Sequence, residues 1–216
     1  MQIAKYATIV FDCDGVLIDA NQPKVDAFVK AMPEGVSDEQ RTLFAQTMAR
    51  NFGKSRQWLL DTFAEICPAH ASEDNIAGLL SRYSALVSSG YLQWAATEGS
   101  EAFIANAAST KTLYVASGSN QEELRQVFDK RGLRQYFADV LGGPVSKHEN
   151  LRSIIDKAEQ PALFVGDSII DYESAQKCGG YDFAFYTPYS IDRENVIRFA
   201  QQNNIPMVHS FSEFQS

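Results

Sequence analysis

The chain has 216 residues, 27 of them Asp or Glu and 19 Lys or Arg, for a formal net charge of −8. That balance, with no basic stripe, excludes a binder of nucleic-acid backbones, whose affinity comes from clustered cations that release counterions. With 45% hydrophobic residues the chain can bury a sizeable core, and no run approaches the roughly 18 apolar residues of a membrane span.

The chain reaches Asp12 without the long apolar stretch and small-residue cleavage site of a secretory signal, so a cytoplasmic location is expected. Cys13, Cys67 and Cys178 form no CxxC pair and leave an odd count, which suits a reducing compartment; each reads as a buried small hydrophobe.

The first predicted strand, Ala7 to Phe11, runs directly into Asp12-Cys13-Asp14-Gly15-Val16-Leu17-Ile18-Asp19. Period-2 geometry sends Asp12 and Asp14 to one side, at the carboxyl end of a strand, where open α/β sheets hold their ligands. At about 4 Å and an effective dielectric near 20, two such charges repel by roughly 4 kcal/mol. The pair therefore requires a nearby cation or a shared proton.

From Phe11 to the next predicted strand, Thr112 to Ala116, the separation far exceeds the dozen or so residues of a simple crossover. The intervening segment reads as helix. Val25, Phe28, Val29 and Met32 follow helical spacing after Pro23, and Leu43, Phe44 and Met48 lie on a second helix. Trp58, Leu59, Phe63 and Ile66 lie on a third that Pro68 ends. Ile76, Leu79, Leu80, Tyr83, Leu86 and Val87 form the longest stripe, closed by Gly90. Residues 20–93 are thus expected to form a helical cap on a core made of 1–19 and 94–216. Within the cap, Lys54 and Arg56 read either as substrate-gripping cations or as solvated charges at a helix end, and Trp58 and Trp94 as packing anchors.

The second strand leads into Ser117-Gly118-Ser119, a hydroxyl and flexible amides of the kind that attract an anion before a helix. Ser119 to Glu122 reads as a capping box for that helix, which Gly132 stops. After a short strand at Asp139 to Leu141, Ser146 to Glu149 repeats the box, and Lys147 offers a point charge at the helix start. Ala162 to Val165 then leads to Gly166-Asp167-Ser168, with Asp171 four residues on. Two last strands are expected at Phe183 to Tyr186 and Pro206 to His209. Short apolar runs alternating with amphipathic helices predict an α/β fold, a Rossmann-like parallel sheet covered on both faces.

Oxygen ligands from Asp12 and Asp167 suit a hard octahedral ion and favour Mg²⁺ over zinc, while His70, His148 and His209 are too scattered for a His-based site. Two Asp, one cation, Lys147 and helix-start amides together make a place to hold a phosphoryl group. Gly53-Lys54-Ser55 imitates the end of a P-loop, but Met48 stands where that loop needs Gly and no strand precedes it. Ser119 fails as a serine-hydrolase elbow because Gln121 replaces the second Gly.

Taken in order, the four segments resemble the four signatures of the haloacid dehalogenase superfamily, and the insertion after the first strand resembles the helical cap of the subfamily with phosphoglycolate phosphatases and β-phosphoglucomutases. The resemblance implies that Asp12 is a nucleophile forming an aspartyl-phosphate and that Asp14 is the general acid and base. By the same resemblance Ser117 and Lys147, with Gly118, bind phosphoryl oxygens. Asp12, Asp167 and the Asp14 backbone carbonyl hold Mg²⁺, and Asp171 supports them. Lys147 is followed by His148-Glu149-Asn150 rather than Pro-x-Pro, so its assignment rests on order and spacing. Asp14 disfavours carbon–halogen chemistry, and Lys24 stands where β-phosphoglucomutases carry His. The expected function is a Mg²⁺-dependent phosphatase acting on a small phosphorylated metabolite, as a monomer or weak homo-oligomer, with a sugar phosphomutase or a non-catalytic phospho-ligand binder as rivals.

Overall fold

A computed structural model describes residues 1–215. The first strand, β1 (Thr8–Phe11), leads into a helical insert of four α-helices: α1 (Asn21–Ala31), α2 (Asp38–Arg50), α3 (Arg56–Ile66) and α4 (Glu73–Gly90). The chain continues through α5 (Ser100–Ala107), β2 (Thr112–Asn120), α6 (Gln121–Lys130), β3 (Asp139–Gly143), α7 (Lys147–Ile155), β4 (Ala162–Gly166), α8 (Ile169–Cys178), β5 (Tyr181–Tyr186), α9 (Arg193–Gln202) and β6 (Met207–Val208).

All strand pairs are parallel, in the order β3-β2-β1-β4-β5-β6. β1 therefore lies between β2 and β4, with Phe11 in register with both Val115 and Val165. Chain order reverses on the two sides of β1, which opens a crevice at its carboxyl end. Alternate residues feed opposite faces: Phe11, Val115 and Val165 join one buried cluster, and Val10, Ala116 and Phe164 the other. This two-sided burial explains why the strands read as continuous apolar runs.

The helical insert has its own aromatic centre. Phe28 of α1 stacks on Phe44 of α2 at 4.4 Å between ring centres, with Tyr83 of α4 at 5.1 Å from Phe28 and Phe63 of α3 at 6.5 Å from Phe44. These residues are continuous with the cluster on one sheet face, so insert and sheet share apolar packing. Leu43, expected on the α2 stripe, is instead 52% exposed, one position off the Phe44–Met48 face. Where the chain leaves and re-enters the insert, the two crossings pair: Asp19 N–H donates to Ala95 O and Thr97 N–H to Leu17 O, both at 3.0 Å. Arg131 at the end of α6 steadies the return by donating to Tyr91 O at 3.0 Å and Trp94 O at 2.8 Å.

Most expected strands are present with altered ends, and β2 runs on to Asn120, four residues beyond the sequence expectation. That extension corrects the expected cap of α6. Asn120, not Ser119, is the N-cap, its side chain accepting from Glu123 N–H at 3.0 Å. β6 is only Met207–Val208, shorter than Pro206 to His209. Gly132 does follow α6 in the left-handed region at φ +68°. The three cysteines are free and buried, as expected.

Candidate active site

The carboxyl ends of β1 and β2 and the start of α7 meet the insert around a cavity that is partly open to solvent. Asp12 follows β1 directly, and its N–H donates to Val165 O at 2.9 Å, continuing the sheet ladder. Gly15, three residues on, adopts φ +76°, a region that side chains disfavour. A Cβ there would stand 2.3 Å from both Asn21 Nδ2 and Asp167 Oδ2, so the turn after β1 and the loop after β4 touch only because the residue is glycine.

Asp12, Asp167 and Asp171 are all buried, and their carboxylate oxygens approach to within 4.8 Å of one another. Asp171, expected in a supporting position, lies within the same group of carboxylates. It is fully buried, its Oδ2 accepting from Ser168 N–H at 3.0 Å and Ser168 Oγ at 2.8 Å. This is the α8 capping box. Lys147, the first residue of α7, donates to Asp171 Oδ1 and stands 2.9 Å from Asp12 Oδ1. Burial opposes its charge, but Asp12 and Asp171 more than compensate and raise its pKa, so it stays an ammonium.

One lysine does not balance three acids. Burial, with Asp171 and Asp14 nearby and only partly offset by Lys147, pushes the Asp12 pKa up to about 7. Burial followed by the charges of Asp171 and Asp12 drives Asp167 well above the usual carboxylate range. Asp167 Oδ1 is buried and accepts no hydrogen bond, and Asp12 Oδ1 has only the Lys147 ammonium beside it. Orphaned oxygens of this kind are costly unless another partner completes them. An all-oxygen donor set with excess negative charge fits a hard divalent cation.

The Asp14 side chain points away from this cluster and is held by three donors. Lys24 Nζ of α1 approaches Oδ2 at 2.5 Å, Ser119 Oγ donates to Oδ2 at 2.9 Å, and Tyr91 OH donates to Oδ1 at 2.6 Å. Lys24 also contacts Ser119 Oγ and lies 5.0 Å from the Tyr91 ring centre. All four residues are less than one-tenth exposed. Burial lowers the Lys24 pKa, yet the charge and hydrogen bond of Asp14, with Tyr83 and Cys13 nearby, together outweigh it and the net shift is upward. Burial and then the same charge raise Tyr91 well above its ordinary value, which keeps the phenol a donor.

A family model for haloacid dehalogenase-like hydrolases matches residues 6–179. The chain belongs to that family. Among solved structures, this hydrolase is similar to a predicted phosphatase from Clostridium acetobutylicum (20% identity, TM-score 0.71, covering 97% of this chain and 96% of that one). It is similar also to a predicted phosphoglycolate phosphatase from Haemophilus somnus 129PT (17% identity, TM-score 0.71, 98% and 97% covered). A third is YfnB of Bacillus subtilis, described as a HAD-hydrolase bound to magnesium with interdomain movement (17% identity, TM-score 0.63, 85% and 90% covered). At these identities the likeness is one of fold. A search of curated proteins matched none.

The remaining expected residues of this haloacid dehalogenase-like hydrolase divide by position. Gly118 lines the cavity, and a Cβ there would meet Gly53 O of the insert at 3.0 Å. Ser117 is buried behind that lining, its Oγ accepting from Ser119 N–H at 3.1 Å. Lys54 lines the rim and is exposed. Arg56 lines the wall, but its guanidinium is engaged by Glu123 of α6. Sequence reasoning left Tyr91, Asn21 and Glu123 without roles at the site and did not connect Lys24 or Ser119 to Asp14. Asn21 Nδ2 donates to Asp167 Oδ2 at 2.6 Å and so orients it. Ser119, two residues beyond Ser117 on an extended strand, carried a usable signal in its spacing. Tyr91 and Glu123 carried none.

Among the described residues no helix is long and apolar enough to cross a membrane.

Proposed function

We propose that this hydrolase is a Mg²⁺-dependent phosphatase of small phosphomonoesters that works through an aspartyl-phosphate on Asp12. The observation that carries the reading is the pair of separately furnished carboxylates after β1: Asp12 among Lys147, Asp167 and Asp171, and Asp14 among Lys24, Tyr91 and Ser119. One would stand beside a cation and the other would carry proton traffic, and the cavity between core and insert gives a small substrate a way in.

Asp12, Asp167 and the main chain at Asp14 would hold the ion, with Asp171 close by. When bound, Mg²⁺ supplies positive charge that offsets the carboxylates and the phosphoryl oxygens. An Asp12 carboxylate oxygen attacks phosphorus, the bond from phosphorus to the leaving oxygen breaks, and its electron pair stays with that oxygen. The Asp14 carboxylate would first take up a proton and then pass it to the departing oxygen. The resulting Asp14 carboxylate then takes a proton from water as the water oxygen attacks phosphorus, which frees Asp12 and inorganic phosphate. Lys147 disperses charge on the transferring group. Met48, Phe52, Leu59 and Tyr83 of the insert line the cavity and limit access by bulk water.

Purified protein should release inorganic phosphate from aryl phosphates with Mg²⁺, stop with chelator, and stop when Asp12→Asn is introduced into a folded chain. A fully active Asp12→Asn would sink the mechanism. Isomerisation of a sugar phosphate with little free phosphate would replace hydrolysis by mutase chemistry.

A further inference from the structure

Arg56 opens α3 at the cavity wall, yet its charge is already answered. Nη1 and Nη2 donate to Glu123 Oε1 and Oε2 at 3.1 and 2.9 Å, a two-pronged pair between insert and core. Nη1 also donates to Ser84 Oγ at 3.0 Å, and the guanidinium lies 5.5 Å from the Tyr83 ring centre. The two side chains are only 26% and 19% exposed. Planar pairing of this kind is stronger and more rigid than an open surface ion pair.

The other cations of the cavity are committed too. Lys24 is held by Asp14, and Lys147 is divided between Asp12 and Asp171. The Lys54 side chain makes no ion pair or hydrogen bond among the described residues, but it stands in solvent on the rim, where water screens it. The rest of the insert wall includes Met48, Phe52, Leu59 and Tyr83.

We propose that Glu123 is a specificity-determining residue that, by neutralising Arg56, tunes the leaving-group end of the cavity to phosphomonoesters whose alcohol portion is uncharged and partly apolar. An alcohol bearing a carboxylate or second phosphate meets a guanidinium that already has its partner. To gain Arg56 it must displace Glu123 and leave that carboxylate half-buried and unpaired. The inference rests on the phosphatase reading above for its substrates, and its test is separable from it.

The decisive comparison is a matched pair, 2-hydroxyethyl phosphate and phosphoglycolate, with wild type and Glu123→Gln in Mg²⁺. Wild type should favour the hydroxyethyl ester in kcat/KM. Glu123→Gln should shift the ratio about tenfold or more toward phosphoglycolate, the scale of one hydrogen bond to a charged group. Adding Arg56→Met to Glu123→Gln should return the ratio toward wild type, which separates release of Arg56 from a general change in charge. Calorimetry with the phosphonates 3-hydroxypropylphosphonate and 3-phosphonopropionate reads the same contrast without turnover. If neither ester is hydrolysed, the phosphatase reading falls while the phosphonate affinities still decide the role of Glu123. A wild-type preference for the carboxylate member, a ratio unmoved by Glu123→Gln, or phosphonates that bind neither protein would overturn the proposal.

Discussion

Lys24 of the insert and Asp14 of the core form a buried ion pair, Nζ 2.5 Å from Oδ2, with side chains 8% and 6% exposed. Two elements that meet only in the folded chain thus share one charge pair at the place where proton transfer is proposed. Its two other donors, Tyr91 and Ser119, come from the far end of the insert and from β2.

Lys24→Met should destabilise the protein by about 3–5 kcal/mol, because removing one partner strands a buried charge. Lys24→Met combined with Asp14→Asn should recover much of that loss. Urea unfolding of the two single variants and the double variant tests the coupling; strictly additive losses would mean that the pair is not energetically linked. In the assay, Lys24→Met should lower kcat more than it raises KM.

Tyr91→Phe removes one donor from Asp14 Oδ1 while the ring keeps its edge contact with Trp94 at 5.1 Å. An unfilled buried acceptor costs about 1–3 kcal/mol, so thermal melting should fall modestly with the fold intact. The same change should reduce kcat and move the pH profile, whereas a purely packing role for Tyr91 would leave both as in wild type.

Asp12 carries a signature in metal-free stability. Its folded pKa, pushed by burial to about 7, lies above the ordinary aspartate value of 3.8, so between those values the folded state binds the extra proton. This contribution is complete below about pH 4 and is lost as pH rises through about 7. Without metal, the stability of wild type relative to Asp12→Asn should therefore decline from pH 4 to pH 7.5. Added Mg²⁺ at pH 7.5 should stabilise wild type and do so less in Asp12→Asn. Parallel pH curves for the two proteins would contradict the assignment.

Gly15→Ala places a methyl group 2.3 Å from Asp167 Oδ2 and Asn21 Nδ2 in a backbone region that alanine disfavours. It should weaken Mg²⁺ binding and abolish most turnover while far-UV circular dichroism stays near wild type. Unchanged metal affinity would show that the loop can shift without cost.

The α/β class, the order of the strands along the chain, the helical insert and the four acids were legible in the sequence because each is a local signal. Alternation, capping residues and a strand ending in Asp need no distant partner to be recognised. Ser119 shows where that legibility stops. Ser-x-x-Glu is a sound capping box by itself, but pairing of β2 with β3 carries the strand through Asn120 and moves the cap by one residue, leaving Ser119 to donate to Asp14. Arg56 shows the same limit from the other side. Its charge was readable, but Glu123, the carboxylate that engages it, lies 67 residues away.

The sequence by itself determined which chemistry is available: acids after strands, one lysine at a helix start and an insert to cover them. Only the tertiary structure decided which charges remain free. Asp167 keeps a buried oxygen with no partner and Asp12 shares one lysine with Asp171, while Lys24 and Arg56 are already paired across the junction of insert and core. Interaction between charges depends on distance and local dielectric, and both are set by folding residues remote in the chain against one another.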